Sequence, residues 1–201
     1  PEVEPIDVDR LIIGMAETYD EVVTVPPSGS WEIRATAQDG SGHASIFVGD
    51  GEKHLADDIP NPNIYSMDEM MAVALNDPLT TGQTEVAEPG PRPLSPYHHL
   101  RARESTEIPA SHPRRKITLR LTGDMQRYIW SFNGKTLAEE PTIPVSRGEV
   151  LQIEMVNDTM MHHPIHLHGH FFRLLNGQGN RAPLKHTVDV AYFAVLKFVY
   201  L

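Results

Sequence analysis

The sequence predicts an all-β protein built as an antiparallel sandwich or barrel. Its strand candidates are short and separated by turn signals, and they occur in two β-rich segments on either side of a loop-rich middle. In several candidates apolar and polar residues alternate, which is the period of a strand with one buried face.

The first β-rich segment comprises residues 1–51. Its strand candidates are RLIIGMA, DEVVTVP, SWEIRATAQD and HASIFVGDG, with turn signals at residues 26–29 and 39–42. Trp31, Ile33 and Ala35 alternate with polar neighbours. This segment is predicted to form strands at the end of a sandwich.

The middle segment, residues 52–115, is rich in Pro, Asn, Asp and Gly, as in DDIPNPN and EPGPRPLSP. This composition predicts a connection with one short helix at residues 66–75. The helix would place three methionines on one face, a pattern more typical of core packing than of a ligand set. They are Met67, Met70 and Met71. His98, His99 and His112 are expected to be solvated loop histidines.

The second β-rich segment, residues 116–201, contains KITLRLTG, in which Ile117, Leu119 and Leu121 alternate cleanly. RYIWSFNGK follows with an Asn133-Gly134 turn signal, and then TIPVSRGEVLQIEMVND. HPIHLHGHFFRLLNG and KHTVDVAYFAVLKFVYL are the last strand candidates. Together they predict a second sandwich domain.

Composition excludes several classes of function. The formal net charge of −10 and the pI near 5.5 argue against nucleic acid as a partner, because no basic stripe is present to contact phosphates. No apolar run is long enough to predict a membrane span. The chain has no cysteine and therefore no disulfide. It starts without Met or a signal-peptide pattern, so a processed, trimmed or fragmentary N-terminus is expected.

The stretch HHPIHLHGHFF, residues 162–172, is the main candidate for a functional site. In an extended strand His166, His168 and His170 would share one face, opposite the apolar Ile165 and Leu167. Three imidazoles make a poor core, because each neutral ring needs partners for both nitrogens. A metal would accept a lone pair from each ring, and imidazole suits copper, zinc, iron and nickel. The pattern therefore favours a metal site over structural histidines.

This stretch, with IEMVNDTMM before it and KHTVDV after it, resembles the C-terminal cupredoxin domain of multicopper oxidases, which include laccases and bacterial copper-resistance oxidases. ITLRLTGDMQRYIWSFNGK is similar to the opening strands of that domain in the copper-resistance branch. RLIIGMAETYDEVVTVP resembles late strands of the middle domain. The resemblance implies cupredoxin-like Greek-key sandwiches, with residues 1–51 in one domain, 52–115 as the connection and 116–201 as an incomplete C-terminal domain.

The resemblance also implies ligands for copper. The histidine before the proline, His163, corresponds to a ligand of the mononuclear type 1 copper. His166 and His168 correspond to ligands of the trinuclear type 2 and type 3 cluster. His170 falls outside the ligand set and is expected beside the ligands or on the surface, and Asp189 in HTVDV is a candidate for orienting a ligand histidine.

The function implied by the resemblance is one-electron oxidation of phenolic donors or Cu(I), coupled to reduction of dioxygen to water in the periplasm or outside the cell. Because Met-rich segments occur in the copper-resistance branch, Met67, Met70 and Met71 are candidate Cu(I) contacts. The family's second C-terminal motif, H-C-H, is absent, and without cysteine a His₂Cys type 1 site does not form from these residues alone. A complete oxidase is therefore expected to need ligands from other subunits or chain segments.

Two other functions compete with this interpretation. A non-catalytic copper-binding cupredoxin module would use the same histidines to store or pass copper. A zinc-dependent hydrolytic enzyme on a β-sandwich is the third alternative, but no H-E-x-x-H pattern or neighbouring carboxylate pair supports it.

Overall fold

A three-stranded sheet forms in the N-terminal part of the chain. The structure is a computed structural model that describes residues 1–60, 66–67, 95–124, 126–140 and 142–200. Strand β1 (Ser30–Thr36) pairs antiparallel with β2 (His43–Val48), and it pairs in parallel with the two-residue β3 (Lys53–His54). Both β1 and β2 were predicted from the alternating pattern, and that prediction is confirmed.

The strands predicted in RLIIGMA and DEVVTVP are absent, since the structure assigns no strand to residues 10–26. A strand needs a neighbour that takes up its backbone N–H and C=O groups, and none of the described residues supplies one here. The side chains reflect this lack of a partner, because Met15 is 82% exposed and Val22 is fully exposed. The strand prediction is wrong for these two segments.

The N-terminal residues lie instead along the C-terminal sandwich. Val3 forms an isolated antiparallel bridge with Ala102, and the amide of Glu4 donates to the carbonyl of Arg101 at 2.7 Å. The turn at residues 14–17 lies beside the histidine-bearing strands, where the carbonyl oxygen of Ala16 accepts from the hydroxyl of Thr187 at 2.9 Å.

The C-terminal part contains a six-stranded sheet and a two-stranded ribbon. The sheet order is β5-β4-β6-β11-β8-β9, and the ribbon pairs β7 with β10. The strands in chain order are β4 (Arg114–Asp124), β5 (Ile129–Phe132), β6 (Val150–Asn157), β7 (His163–His166), β8 (Phe172–Leu174), β9 (Leu184–Lys185), β10 (Thr187–Val190) and β11 (Val195–Tyr200). Short 3-10 helices occur at Pro96–His98 and Gly179–Arg181.

Pairing in the six-stranded sheet is antiparallel except between β4 and β6, which run in parallel from Arg114 opposite Val150 to Leu121 opposite Asn157. The Asn133-Gly134 turn follows β5, and Phe132 and Lys135 on its two sides form an isolated antiparallel bridge. Both turn residues have positive φ, 52° and 77°, as a two-residue hairpin turn requires. The chain then crosses to the other side of β4, and β6 consequently has the same direction as β4.

The core lies between the sheet and the ribbon. Phe172 and Phe198 of the sheet pack with ring centroids 4.4 Å apart, and Val188 and Val190 of β10 are fully buried in the same cluster. Full burial of such a side chain contributes about 1.5–3 kcal/mol, so these valines fix the ribbon onto the sheet. The predicted all-β sandwich is confirmed by these two layers.

The described end of the middle segment also packs into this core. Tyr97 and Leu100 are buried members of the cluster. The predicted domain boundaries at residues 51 and 115 stay a prediction. No helix among the described residues is long and apolar enough to cross a membrane.

Candidate metal centre

The ribbon places the histidines on two opposite faces. β7 runs antiparallel to β10, with His163 opposite Val190 and His166 opposite Thr187. Side chains alternate along a strand, so His163 shares its face with Ile165, which packs against the core. His166 therefore projects from the outer face of the ribbon.

His166 and His168 lie side by side. Their ring centroids are 4.8 Å apart, with the ring planes at 73°. Strand β7 ends at His166, and the chain turns at His168 and Gly169, where the φ of the glycine is 74°. The predicted adjacency of these two imidazoles thus exists, and the turn begins at the second of them.

His170 is not part of this pair. Its ring lies against Tyr200 at 5.2 Å between centroids, and its Nδ1 is 3.3 Å from the carbonyl oxygen of His168. The prediction that His170 shares the face of His166 and His168 is wrong, because the positive φ of Gly169 changes the chain direction before it.

His186 joins the pair and was missed by sequence reasoning. Its ring centroid is 5.3 Å from that of His166, and the two Nδ1 atoms are 3.4 Å apart. Burial, and next the neighbouring His166, lower the pKa of His186. The only signal in the sequence was that His186 comes directly before the strand TVDV. This signal could be used only with knowledge that the strand pairs with β7.

His163 occupies a separate, half-buried environment. Its Nε2 lies 2.6 Å from the hydroxyl of Thr159, and its ring meets the edge of Trp130 at 5.8 Å between centroids. Burial lowers the pKa of His163, so the neutral ring, which has a free lone pair, is favoured. Such a ring is a suitable donor to a metal.

Asp189 contacts a histidine, but not one of the three predicted ligands. One of its carboxylate oxygens lies 2.5 Å from Nδ1 of His162, the residue before His163, while its backbone amide donates to the hydroxyl of Tyr97 at 2.7 Å. The ring of His162 also meets Tyr192 edge-on at 4.5 Å between centroids. Asp189 therefore orients the neighbour of His163.

Of the three methionines predicted as Cu(I) contacts, the structure describes Met67. Met67 is 48% exposed, whereas Met70 and Met71 lie outside the described residues, as does most of the predicted helix. Met160 and Met161, directly before the histidine stretch, are partly exposed at 43% and 37%.

The donor set fits part of a copper site. His166 and His168 offer adjacent imidazoles on one face, and imidazole is a good copper ligand. Within the described residues, no group of three or more His, Cys, Asp or Glu side chains has the geometry to hold a metal ion by itself. A thiolate-containing type 1 site does not fit this sequence, because it has no cysteine.

His98 differs from the solvated loop histidine that was expected. Its Nε2 is buried without a hydrogen-bond partner among the described residues, and its ring packs on His99 at 3.7 Å between centroids. Burial, and secondly the charge of His99, lower the pKa of His98 from 6.5 to about 4. The folded chain therefore keeps His98 neutral in mildly acidic solution.

The substitution His98→Gln is expected to make stability less dependent on pH. Between pH 6.5 and about 4 the unfolded chain binds a proton at His98 and the folded chain does not, so the free energy of unfolding falls as pH falls through this window. Urea unfolding at several pH values within the window measures the slope, with the exposed His43→Gln as control. Equal slopes for the wild type and His98→Gln would contradict this assignment.

The chain is similar to known multicopper oxidases. A model of the multicopper oxidase family matches residues 111–199. The chain is 35% identical to copper resistance protein A of Escherichia coli, over 69% of this chain and 22% of that protein. It is 29% identical to multicopper oxidase MmcO of Mycobacterium tuberculosis, over 92% of this chain and 32% of that protein.

Among solved structures, the McoA multicopper oxidase from Aquifex aeolicus is 28% identical, with a TM-score of 0.34 over 48% of this chain and 24% of that chain. The chain spans less than half the length of the curated relatives that it matches. The residues matched by the family model include the histidine stretch at 162–172. Residues 111–199 therefore belong to the multicopper oxidase family, and the chain as a whole is similar to part of proteins of the copper-resistance type.

Proposed function

We propose that this chain supplies imidazole ligands to the copper centres of an oxidase that couples one-electron oxidation of phenolic donors or Cu(I) to reduction of dioxygen to water. The adjacency of His166 and His168 on the outer face of the ribbon carries this proposal. Because these two imidazoles face away from the core, ligands from another segment or subunit can bind the same copper ions. A multinuclear site needs such additional ligands.

The separation of the histidines onto two faces supports a division of roles. His163 lies on the core side of β7 with Thr159 and Trp130, whereas His166 and His168 lie outside. We assign His163 to a mononuclear type 1 centre and the outer pair to a trinuclear type 2 and type 3 cluster. When bound, copper would supply the one-electron redox chemistry at these positions.

The remaining parts of the oxidase lie outside these 201 residues. The type 1 thiolate and the other cluster ligands are assigned to other subunits or chain segments, since no cysteine is present here. Met67, Met70 and Met71 stay candidates for Cu(I) contacts. By analogy with copper-resistance oxidases, we place the protein in the periplasm or outside the cell.

A second candidate is a non-catalytic copper-binding module for copper storage or tolerance. The observation that favours it is the lack of cysteine, which removes the electron-entry site from this chain. The same outer histidines would then hold copper without turnover.

Copper binding by the metal-free chain tests the site. We expect His166→Ala combined with His168→Ala to abolish copper binding at the outer face, measured by metal analysis after dialysis and by calorimetric titration. His163→Ala should leave that binding unchanged, because His163 lies on the other face, and His43→Ala serves as a control at an exposed strand position. Unchanged copper content in the double variant would overturn the assignment.

Spectroscopy distinguishes the two functions. The copper-loaded chain should lack the intense blue band of a thiolate-bound copper in either case. Reduction of bound Cu(II) by a phenolic donor, followed by reoxidation in air, supports the oxidase, and electron paramagnetic resonance follows both steps. Copper that stays reduced in air favours the storage module.

A further inference from the structure

A buried hydroxyl joins two histidines of the outer face. The side chain of Thr187 is completely buried at the start of β10. Its Oγ1 lies 2.8 Å from Nδ1 of His166, 3.0 Å from Nδ1 of His186 and 2.9 Å from the backbone carbonyl oxygen of Ala16. Three polar groups therefore converge on one oxygen.

The chemistry of these groups fixes where the protons are. A hydroxyl has one proton to donate and two lone pairs that accept. The carbonyl oxygen of Ala16 only accepts, so the proton of Thr187 goes to it. Both lone pairs of Oγ1 are then left for the two imidazoles, and each Nδ1 must carry a proton to bond there.

The contacts of His186 agree with this arrangement. With Nδ1 protonated, Nε2 of its neutral ring is an acceptor, and the hydroxyl of Thr18 lies 3.3 Å from it as the donor. The 3.4 Å approach of the two Nδ1 atoms is then not a hydrogen bond, because both groups donate to the same oxygen. Both nitrogens of His186 are therefore used inside the protein.

We propose that Thr187 is a positioning residue that holds His166 in its Nδ1–H tautomer and so reserves the Nε2 lone pair for a metal. This rests on the proposed copper-binding function for the use of Nε2, but the tautomer itself does not depend on it. The hydrogen bond at one ring nitrogen sets which nitrogen is free for a metal. His186 is held in the same tautomer and is a supporting neighbour of the ligand pair.

The acceptor for Thr187 is itself fixed by a closed turn. The amide of Glu17 donates to the carbonyl of Gly14 at 3.1 Å, and a carboxylate oxygen of Glu17 accepts from the amide of Gly14 at 2.9 Å. Ala16 has a φ of 60°, unusual for a residue with a side chain, within this turn. The N-terminal segment thus anchors the hydroxyl that orients His166.

Tautomers can be read directly by nitrogen-15 NMR of the metal-free chain with labelled histidine. We expect His166 and His186 of the wild type to show a protonated Nδ1 and an unprotonated Nε2. Thr187→Ser keeps the hydroxyl and should keep this pattern. Thr187→Val removes the hydroxyl at nearly equal size and should shift His166 toward the Nε2–H tautomer, whereas the exposed Thr142→Val is the matched control.

An Nε2–H tautomer of His166 in the wild type, or an unchanged tautomer in folded Thr187→Val, would overturn the proposal. If Thr187→Val does not fold, the spectra of the wild type and Thr187→Ser decide alone. In a copper titration we expect Thr187→Val to lower affinity by about 10- to 100-fold and Thr187→Ser to stay near the wild type. If copper does not bind at His166 although its ring has the expected tautomer, the proposed function is contradicted. The role of Thr187 in setting the tautomer is then still supported.

Discussion

Replacing Asn157 with alanine is expected to lower the free energy of unfolding by about 3–5 kcal/mol. The side chain is 1% exposed, and its nitrogen donates to the carbonyl oxygens of Met161, Val190 and Ala191 at 2.7, 3.1 and 2.9 Å. Its oxygen accepts from the amide and the hydroxyl of Thr159 at 2.9 and 2.8 Å. Truncation therefore leaves several buried polar groups without a partner.

Urea unfolding measures this loss, with Asn180→Ala as a matched control at an exposed position, where a change within about 0.5 kcal/mol is expected. The variant should also loosen His163, because Thr159, which contacts its Nε2, is held by Asn157. A loss below about 1 kcal/mol would show that the network is dispensable for the fold.

Replacing Lys185 with methionine is expected to cost about 3–5 kcal/mol, because it leaves the carboxylate of Glu17 buried without its cation. The two side chains are 10% and 1% exposed, and Nζ lies 2.7 Å from Oε1. Tyr19 and Tyr97 donate their hydroxyl protons to the same carboxylate oxygen at 2.8 and 3.0 Å. Burial raises the pKa of both tyrosines, which keeps these protons in place.

A double-mutant cycle separates the charge pair from its surroundings. Glu17→Gln combined with Lys185→Met should cost less than the sum of the two single changes, since no buried charge is then left alone. Lys197→Met, at a partly exposed lysine paired with Glu154, should change stability by about 1 kcal/mol or less. Strict additivity in the cycle would refute the coupling.

Patterns over a few neighbouring residues predicted those parts of the fold that depend on residues close in the sequence. Alternation at Ile117, Leu119 and Leu121 predicted β4, and the Asn133-Gly134 pair predicted the turn after β5. The adjacency of two histidines followed from their spacing. These features depend on neighbours within a few residues, which a single sequence displays.

Features that depend on distant partners were not predictable in this way. The strand pattern of residues 20–26 signalled a half-buried face, but an alternating segment becomes a strand only when another strand accepts its hydrogen bonds. His186 and Thr187 gained their place through pairing of β10 with β7 and contact with the turn at residues 14–17. No periodicity of the sequence reports such pairings.

The bond between Thr187 and Ala16 has a consequence for the order in which the molecule is assembled. Its two ends are 171 positions apart in the chain, and the ion pair of Arg181 with Glu4 spans 177. Contacts of such separation form slowly and late. During synthesis the N-terminal turn cannot form this bond until β10 has emerged from the ribosome. We therefore expect the outer histidine face to form only at the end of folding, so that the proposed copper site is complete only after the chain has been made.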